Sequence, residues 1–141
     1  MKKTIILVLS LVLALSFVCP TYAEDVDTPP DEPTHLRFIN LSSASVSLDI
    51  PGNTAQCTGI AKSMVSTDTL KLYMYLQKQT SSGWDTVASW SKQGVRIVIL
   101  EKTKSGLSAG TYRVYLYVGV YDADGTFIES TVILSKLKTV S

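Results

Sequence analysis

"TLKLYMYLQKQTSSGWDTVASW", residues 69–90, decides the fold. Leu70, Leu72, Met74 and Leu76 alternate with Lys71, Tyr73, Tyr75 and Gln77. That two-residue period is the mark of a strand with one buried and one open face. A polar turn containing Gly83 follows, and "WDTVASW" at 84–90 comes back as a second strand. The pattern extends outward in both directions. Upstream, "ASVSLDI" (44–50) alternates Val46, Leu48 and Ile50, Pro51-Gly52-Asn53 ends it, and "TAQCTGIAK" (54–62) comes next. Downstream, "VRIVILE" (95–101) precedes "TYRVYLYVGVY" (111–121), which sets Tyr112, Val114, Leu116, Val118 and Val120 on one face. Arg113, Tyr115, Tyr117 and Tyr121 take the other, and Asp122-Ala123-Asp124-Gly125 turns into "TFIESTVIL" (126–134). These short strands, with no helical period between them, predict an all-β fold. It is a single immunoglobulin-like antiparallel β-sandwich of about seven strands over residues 35–141. Each fully buried Leu or Val contributes roughly 1.5–3 kcal/mol, so two such faces pressed together can form a core.

One local motif supports the sandwich. "LSAGTYRV" (107–114) puts Tyr112 behind Gly110 at the start of the sixth strand. There a tyrosine corner would bond its hydroxyl back to the upstream backbone. In antibody domains a cysteine stands two residues later, where this chain has Val114. Cys57 lies on the second strand, where the other half of that pair would sit, and it is expected to pack as a small buried thiol.

The chain opens "MKKTIILVLSLVLALSFVCPTYAED". Lys2 and Lys3 make a positive start, Ile5 to Val18 an apolar run, and Thr21-Tyr22-Ala23 a cleavage site. The apolar run is shorter than the ~20 residues a membrane anchor needs. Residues 1–23 are therefore expected to be a signal peptide cleaved after Ala23, with the protein secreted and extracellular. Val18 rather than a small residue precedes Cys19, which argues against lipidation. Removal of the signal takes Cys19 with it and leaves Cys57 without a disulfide partner, so the core alone must hold the fold. No second apolar run is long enough to span a membrane.

"EDVDTPPDEPT", residues 24–34, reads as an acidic, proline-rich, disordered spacer, too poor in apolar groups to offset its ordering entropy. Five of the twelve acidic residues lie between Glu24 and Glu32. From Pro33 onward eleven basic residues face seven acidic ones, a charge of +4 that is too mild and scattered for a nucleic-acid partner.

The body from about Ser43 to Ser135 resembles a family of small secreted Firmicutes proteins, mainly clostridial, that carry a domain of unknown function. The likeness rests on "AQC" (55–57), "YLQK" (75–78), "WDTVASWS" (84–91), "GTYR" (110–113) and "ES" (129–130). The resemblance implies the sandwich and the secretion; it implies no activity.

The residue inventory argues against an enzyme. The only histidine, His35, sits at the spacer's edge, so neither a Ser-His-Asp nor a Cys-His arrangement can be assembled, and no HExxH pair exists. Asp49, Asp68, Asp85, Glu101 and Glu129 are dispersed over strand ends and turns, with no two singled out as an acid–base pair. "DADG" (122–125) begins like a calcium loop, but the position for the bidentate Glu is Ile133, so it reads as a hairpin turn. No metal and no cofactor is expected.

The aromatic residues remain. With the third and sixth strands adjacent, Tyr73, Tyr75, Tyr115 and Tyr117 would share an outward face. Outward neighbours lie ~6.6 Å apart along a strand and ~4.8 Å apart across strands. Such a patch can stack on sugar rings or anchor a protein, since tyrosine combines contact area with a polar tip. The competing reading is structural, because cross-strand aromatic pairs also stabilise an exposed sheet. Trp84 and Trp90, six residues apart, would share a face on a regular strand, Trp90 capping the core and Trp84 exposed beside the turn. Arg96, Glu101, Lys102 and Lys104 read as charges that keep the apolar "VRIVIL" edge from aggregating. The expected function is a non-enzymatic binding module at the bacterial envelope. Tyr73, Tyr75, Tyr115, Tyr117 and Trp84 form its candidate site, and a cell-wall or environmental glycan or a surface protein is the partner. A structural or self-associating extracellular protein is the alternative, and a small hydrolase a remote one.

Overall fold

The computed structural model describes residues 38–141. The segments expected to be a signal peptide (1–23) and a spacer (24–34), and His35 with them, lie outside the described residues. Eight strands follow in order: β1 (Leu41–Asp49), β2 (Ala55–Ser63), β3 (Thr69–Gln79), β4 (Trp84–Val95), β5 (Ile97–Lys104), β6 (Gly110–Tyr121), β7 (Phe127–Leu134) and β8 (Lys138–Val140). They form two antiparallel sheets, one ordered β1-β2-β5, the other β4-β3-β6-β7 with β8 also on β6. The result is a β-sandwich. The strand beyond the expected seven, β8, is three residues long and pairs with Gly110 to Tyr112, too short to show a period in sequence.

The core is made of the alternating faces. Leu70, Leu72, Met74 and Leu76 of β3 and Tyr112, Val114, Leu116, Val118 and Val120 of β6 are buried from one sheet. Leu48, Ala55, Cys57, Ala61, Val98 and Leu100 are buried from the other. At Gly59 the two sheets approach closely: a Cβ there would stand 2.9 Å from Leu116 Cδ1. Tyr112, 1% exposed, donates its hydroxyl to the Ser108 carbonyl at 2.7 Å, closing the tyrosine corner. Ser135 splices β7 to β8: its Oγ accepts the Val114 N–H at 2.8 Å, and its own N–H donates to the Val114 carbonyl at 2.9 Å. The ladder on β6 thus survives the break between the two strands.

Three local features depart from regular alternation. In β4, Ala88 pairs with Leu76 but Thr86 pairs with Gln77, so Val87 is a surplus residue in a β-bulge. A bulge adds one residue and shifts the phase of everything before it. Trp84 and Trp90 therefore occupy opposite faces, contrary to the regular-strand expectation: Trp90 packs on the core, while Trp84 meets Arg113 on the outside. Arg96 is likewise no interruption within a strand. It is the single residue between β4 and β5, with φ of +68°, and it carries the chain from one sheet to the other. Its N–H donates to Asp68 O at 2.9 Å and its carbonyl accepts from Ser63 N at 2.8 Å, a backbone role in addition to the charge role expected from sequence. The third departure is β7, where Glu129 and Thr131 stand in register with the inward Val120 and Val118, and Val132 and Leu134 with the outward Tyr117 and Tyr115.

Glu129 has a use for that orientation. Its carboxylate accepts three backbone N–H groups: Ile39 at 2.8 Å, Asn40 at 2.7 Å and Leu41 at 2.6 Å. Asp68, 2% exposed, accepts from the Ser63 hydroxyl at 2.7 Å and Asn40 Nδ2 at 2.9 Å. Together the two carboxylates fasten the entry to β1.

Candidate functional site

The outer face of the β4-β3-β6-β7 sheet is built in rows set by strand register. Tyr75 pairs with Tyr115, flanked by Ser89 on β4 and Leu134 on β7. Tyr73 pairs with Tyr117, flanked by Ser91 and Val132. The ring centroids are 5.9 Å apart in the first pair and 6.0 Å in the second, at interplanar angles of 69° and 56°. Edge-on packing of this kind uses the positive rim of one ring against the negative face of the next. It leaves the hydroxyl ends toward solvent; Tyr73 is 40% exposed and its three partners are half-buried. The next residue outward on β6 beyond Tyr117 is Gly119, where a side chain would lie 3.1 Å from the Tyr121 ring and 3.3 Å from Tyr117. A shallow groove follows the β3–β4 boundary as two hollows of about 250 and 230 Å³, lined by Lys71, Tyr73, Tyr75, Ser89, Ser91 and Gln93 among others.

Each end of the face carries a cation seated on an aromatic ring. At one end the Arg113 guanidinium lies 4.0 Å from the centre of the Trp84 ring, and its Nε donates to Gln77 Oε1 at 2.9 Å. At the other, Lys71 Nζ lies 4.2 Å from the centre of Tyr121, whose ring meets Phe127 edge-on at 5.7 Å. None of the outward positions on these strands is Asp or Glu. In the adjoining turn, Asp122 Oδ1 accepts from Asp124 N at 2.9 Å and Thr126 N at 2.8 Å, with Gly125 at φ +84°. That carboxylate closes the hairpin.

The structure thus brings together all four tyrosines named from sequence and places Trp84 on the same face, two rows beyond the Tyr75–Tyr115 pair. Sequence reading missed Val132 and Leu134, 44% and 49% exposed, which extend the apolar surface past the tyrosines. It also missed Arg113 and Lys71 as the ends of the site. The alternation that marks both as outward was visible; the Arg113 contact to Trp84 depends on the Val87 bulge, and the Tyr121 contact to Phe127 on a second irregularity between Val120 and Tyr121.

Elsewhere the chemistry is sparse. Burial pushes the Cys57 thiol from 9.0 up to about 11, so it stays neutral at ordinary pH and lacks the thiolate a nucleophile needs. Among the described residues no three His, Cys, Asp or Glu side chains converge on a metal position. No helix among them is long and apolar enough to cross a membrane. A larger, more open hollow of about 420 Å³ on the other sheet, around Gln56, Thr58, Glu101 and Thr103, has no aromatic side chain in its lining.

No family model matches the chain, and no curated protein matches it. Two crystal structures of wild-type OgpA from Akkermansia muciniphila are similar in part. One is 17% identical over 69% of this chain and 29% of that one, with a TM-score of 0.36. The other, a second crystal form, is 15% identical over 74% and 31%, with a TM-score of 0.37. The chain spans about three-tenths of that protein's length. Likeness at this level carries nothing over to the site.

Proposed function

We propose that the protein is a secreted, non-enzymatic binding module that takes a glycan on its tyrosine face. The observation behind this reading is the double row Tyr75–Tyr115 and Tyr73–Tyr117, open to solvent along a shallow groove edged by Ser89 and Ser91. Aromatic rings supply flat apolar area for the faces of sugar rings, and hydroxyls beside them supply hydrogen bonds for the sugar's own hydroxyls. The signal-like start of the chain supports secretion. The strand orders, with the first, second and fifth strands against the third, sixth and seventh, support an immunoglobulin-like arrangement, as does the tyrosine corner.

Co-sedimentation with a panel of insoluble glycans, peptidoglycan included, tests the reading. The Tyr73→Ala/Tyr115→Ala double variant, which removes one ring from each pair, is expected to fold and to lose saturable binding. No retention on any polymer by the wild type would refute it. Self-association is the second reading, favoured by the exposed Val132 and Leu134 on the edge strand β7. A mass in solution that rises with concentration would support it.

A further inference from the structure

Resting on the glycan reading, we propose that the ligand is an acidic, uronate-bearing linear polysaccharide, with Arg113 as the carboxylate subsite and Lys71 as a second contact farther along the chain. The Arg113 guanidinium is held twice, by the Trp84 ring at 4.0 Å and by Gln77 through Nε at 2.9 Å. Both partners are neutral. Its two Nη groups have no hydrogen-bond partner among the described residues, and the one ion pair there, Lys138 with Asp49, does not involve it. An arginine in such a setting is a fork with its plane already fixed and its charge unmatched. A planar carboxylate meets that fork with two parallel hydrogen bonds, and little side-chain freedom remains to be lost on binding.

The rest of the face agrees in charge and in spacing. Lys71 stands six residues along β3 from Gln77, the partner of Arg113, which at ~3.3 Å per residue sets the two cations ~20 Å apart. The tyrosine rows lie between them. No Asp or Glu stands at the outward strand positions, so no carboxylate shares the rows of the tyrosines. A ligand of this geometry is an extended polymer with carboxylates at intervals and sugar faces between. A compact anion such as phosphate would engage one end and leave the tyrosines unused.

The test compares polygalacturonate with its fully methyl-esterified form, which has the same backbone and its carboxylates masked. Affinity for each is measured by titration calorimetry at low and moderate salt. The wild type is expected to bind the acid form about tenfold or more tighter than the ester, an advantage that shrinks as salt rises. Arg113→Gln is expected to cost about tenfold on the acid form and little on the ester; Arg113→Lys should restore only part, since a point charge lacks the fork. Lys71→Gln should weaken the acid form separately, so the inference does not depend on one variant folding; thermal melts run alongside. Equal affinity for both forms, or no effect of either substitution, would overturn the acidic-ligand inference while leaving a neutral-glycan face standing. Silence on both polymers and on the insoluble panel would overturn both readings.

Discussion

Replacing Glu129 by Gln is the sharpest probe of how this sandwich is held shut. The carboxylate accepts two N–H groups on Oε1, from Asn40 and Leu41, and one on Oε2, from Ile39. Glutamine preserves the shape but keeps one acceptor oxygen. Oriented to serve Asn40 and Leu41, it turns its NH2 toward the Ile39 N–H and loses that bond. Ile39 is 68% exposed, so water takes over there at small cost. The other two bonds fall from charge-assisted to neutral strength, a drop of ~1 kcal/mol each. The expected loss is about 2 kcal/mol for Gln and about 4 kcal/mol for Ala, which leaves all three donors without the carboxylate, the Leu41 N–H on a residue only 2% exposed. Urea denaturation measures the total. Hydrogen exchange locates it: the amides of residues 39–41 should lose protection beyond the global change, while those of β3 and β6 track global stability. A Gln variant within ~0.5 kcal/mol of wild type, with protection at 39–41 intact, would refute the clamp as an energetic element.

Further outcomes follow from the packing. Gly59→Ala pushes a methyl to 2.9 Å from Leu116 Cδ1 in a filled core, and thermal unfolding should show a loss of ~1–3 kcal/mol. Tyr112→Phe removes the 2.7 Å bond to the Ser108 carbonyl and should cost ~1 kcal/mol with the fold unchanged by circular dichroism. For Cys57 the folded pKa, about 11, lies above the ordinary 9.0, so the thiol's stabilisation is complete below pH 9 and is lost as pH rises toward 11. Between those values the wild type should lose up to ~2–3 kcal/mol more than Cys57→Ala, a difference that cancels the tyrosine and lysine titrations common to both.

The parts of the fold that were legible in sequence are those where alternation runs unbroken. The inward sets on 70–76 and 112–120, and with them the outward tyrosines, follow from a period of two with no interruption. The Trp84 edge of the site was not legible, because it depends on a break in that period. Val87 adds one residue to β4 and moves Trp84 to the face opposite Trp90. Nothing in "WDTVASW" marks which residue is surplus. In β7 hydrophobicity misleads: Val132 and Leu134 look like core residues, yet the register with β6 turns them outward and Glu129 inward. Glu129 is placed by a requirement some ninety residues away, the N–H groups of 39–41. The sequence displays Arg96 as a side-chain charge and nothing more. Its part in the fold is a left-handed backbone that no residue letter announces.

Arg96 and Glu129 also sit on opposite margins of the sandwich. β4 lies against β5 at one side, where the chain crosses in a single residue and Lys92 Nζ donates to the Ile99 carbonyl at 2.8 Å. β1 lies against β6 and β7 at the other, where the carboxylate grips the incoming chain. The two layers are bound like a book, with a covalent spine along one margin and a clasp along the other. The margin held by side-chain bonds alone is expected to open first. The first excursion from the native state should swing β1 outward and give solvent its way to the pages between, Cys57 among them, while the printed cover with its four tyrosines stays flat.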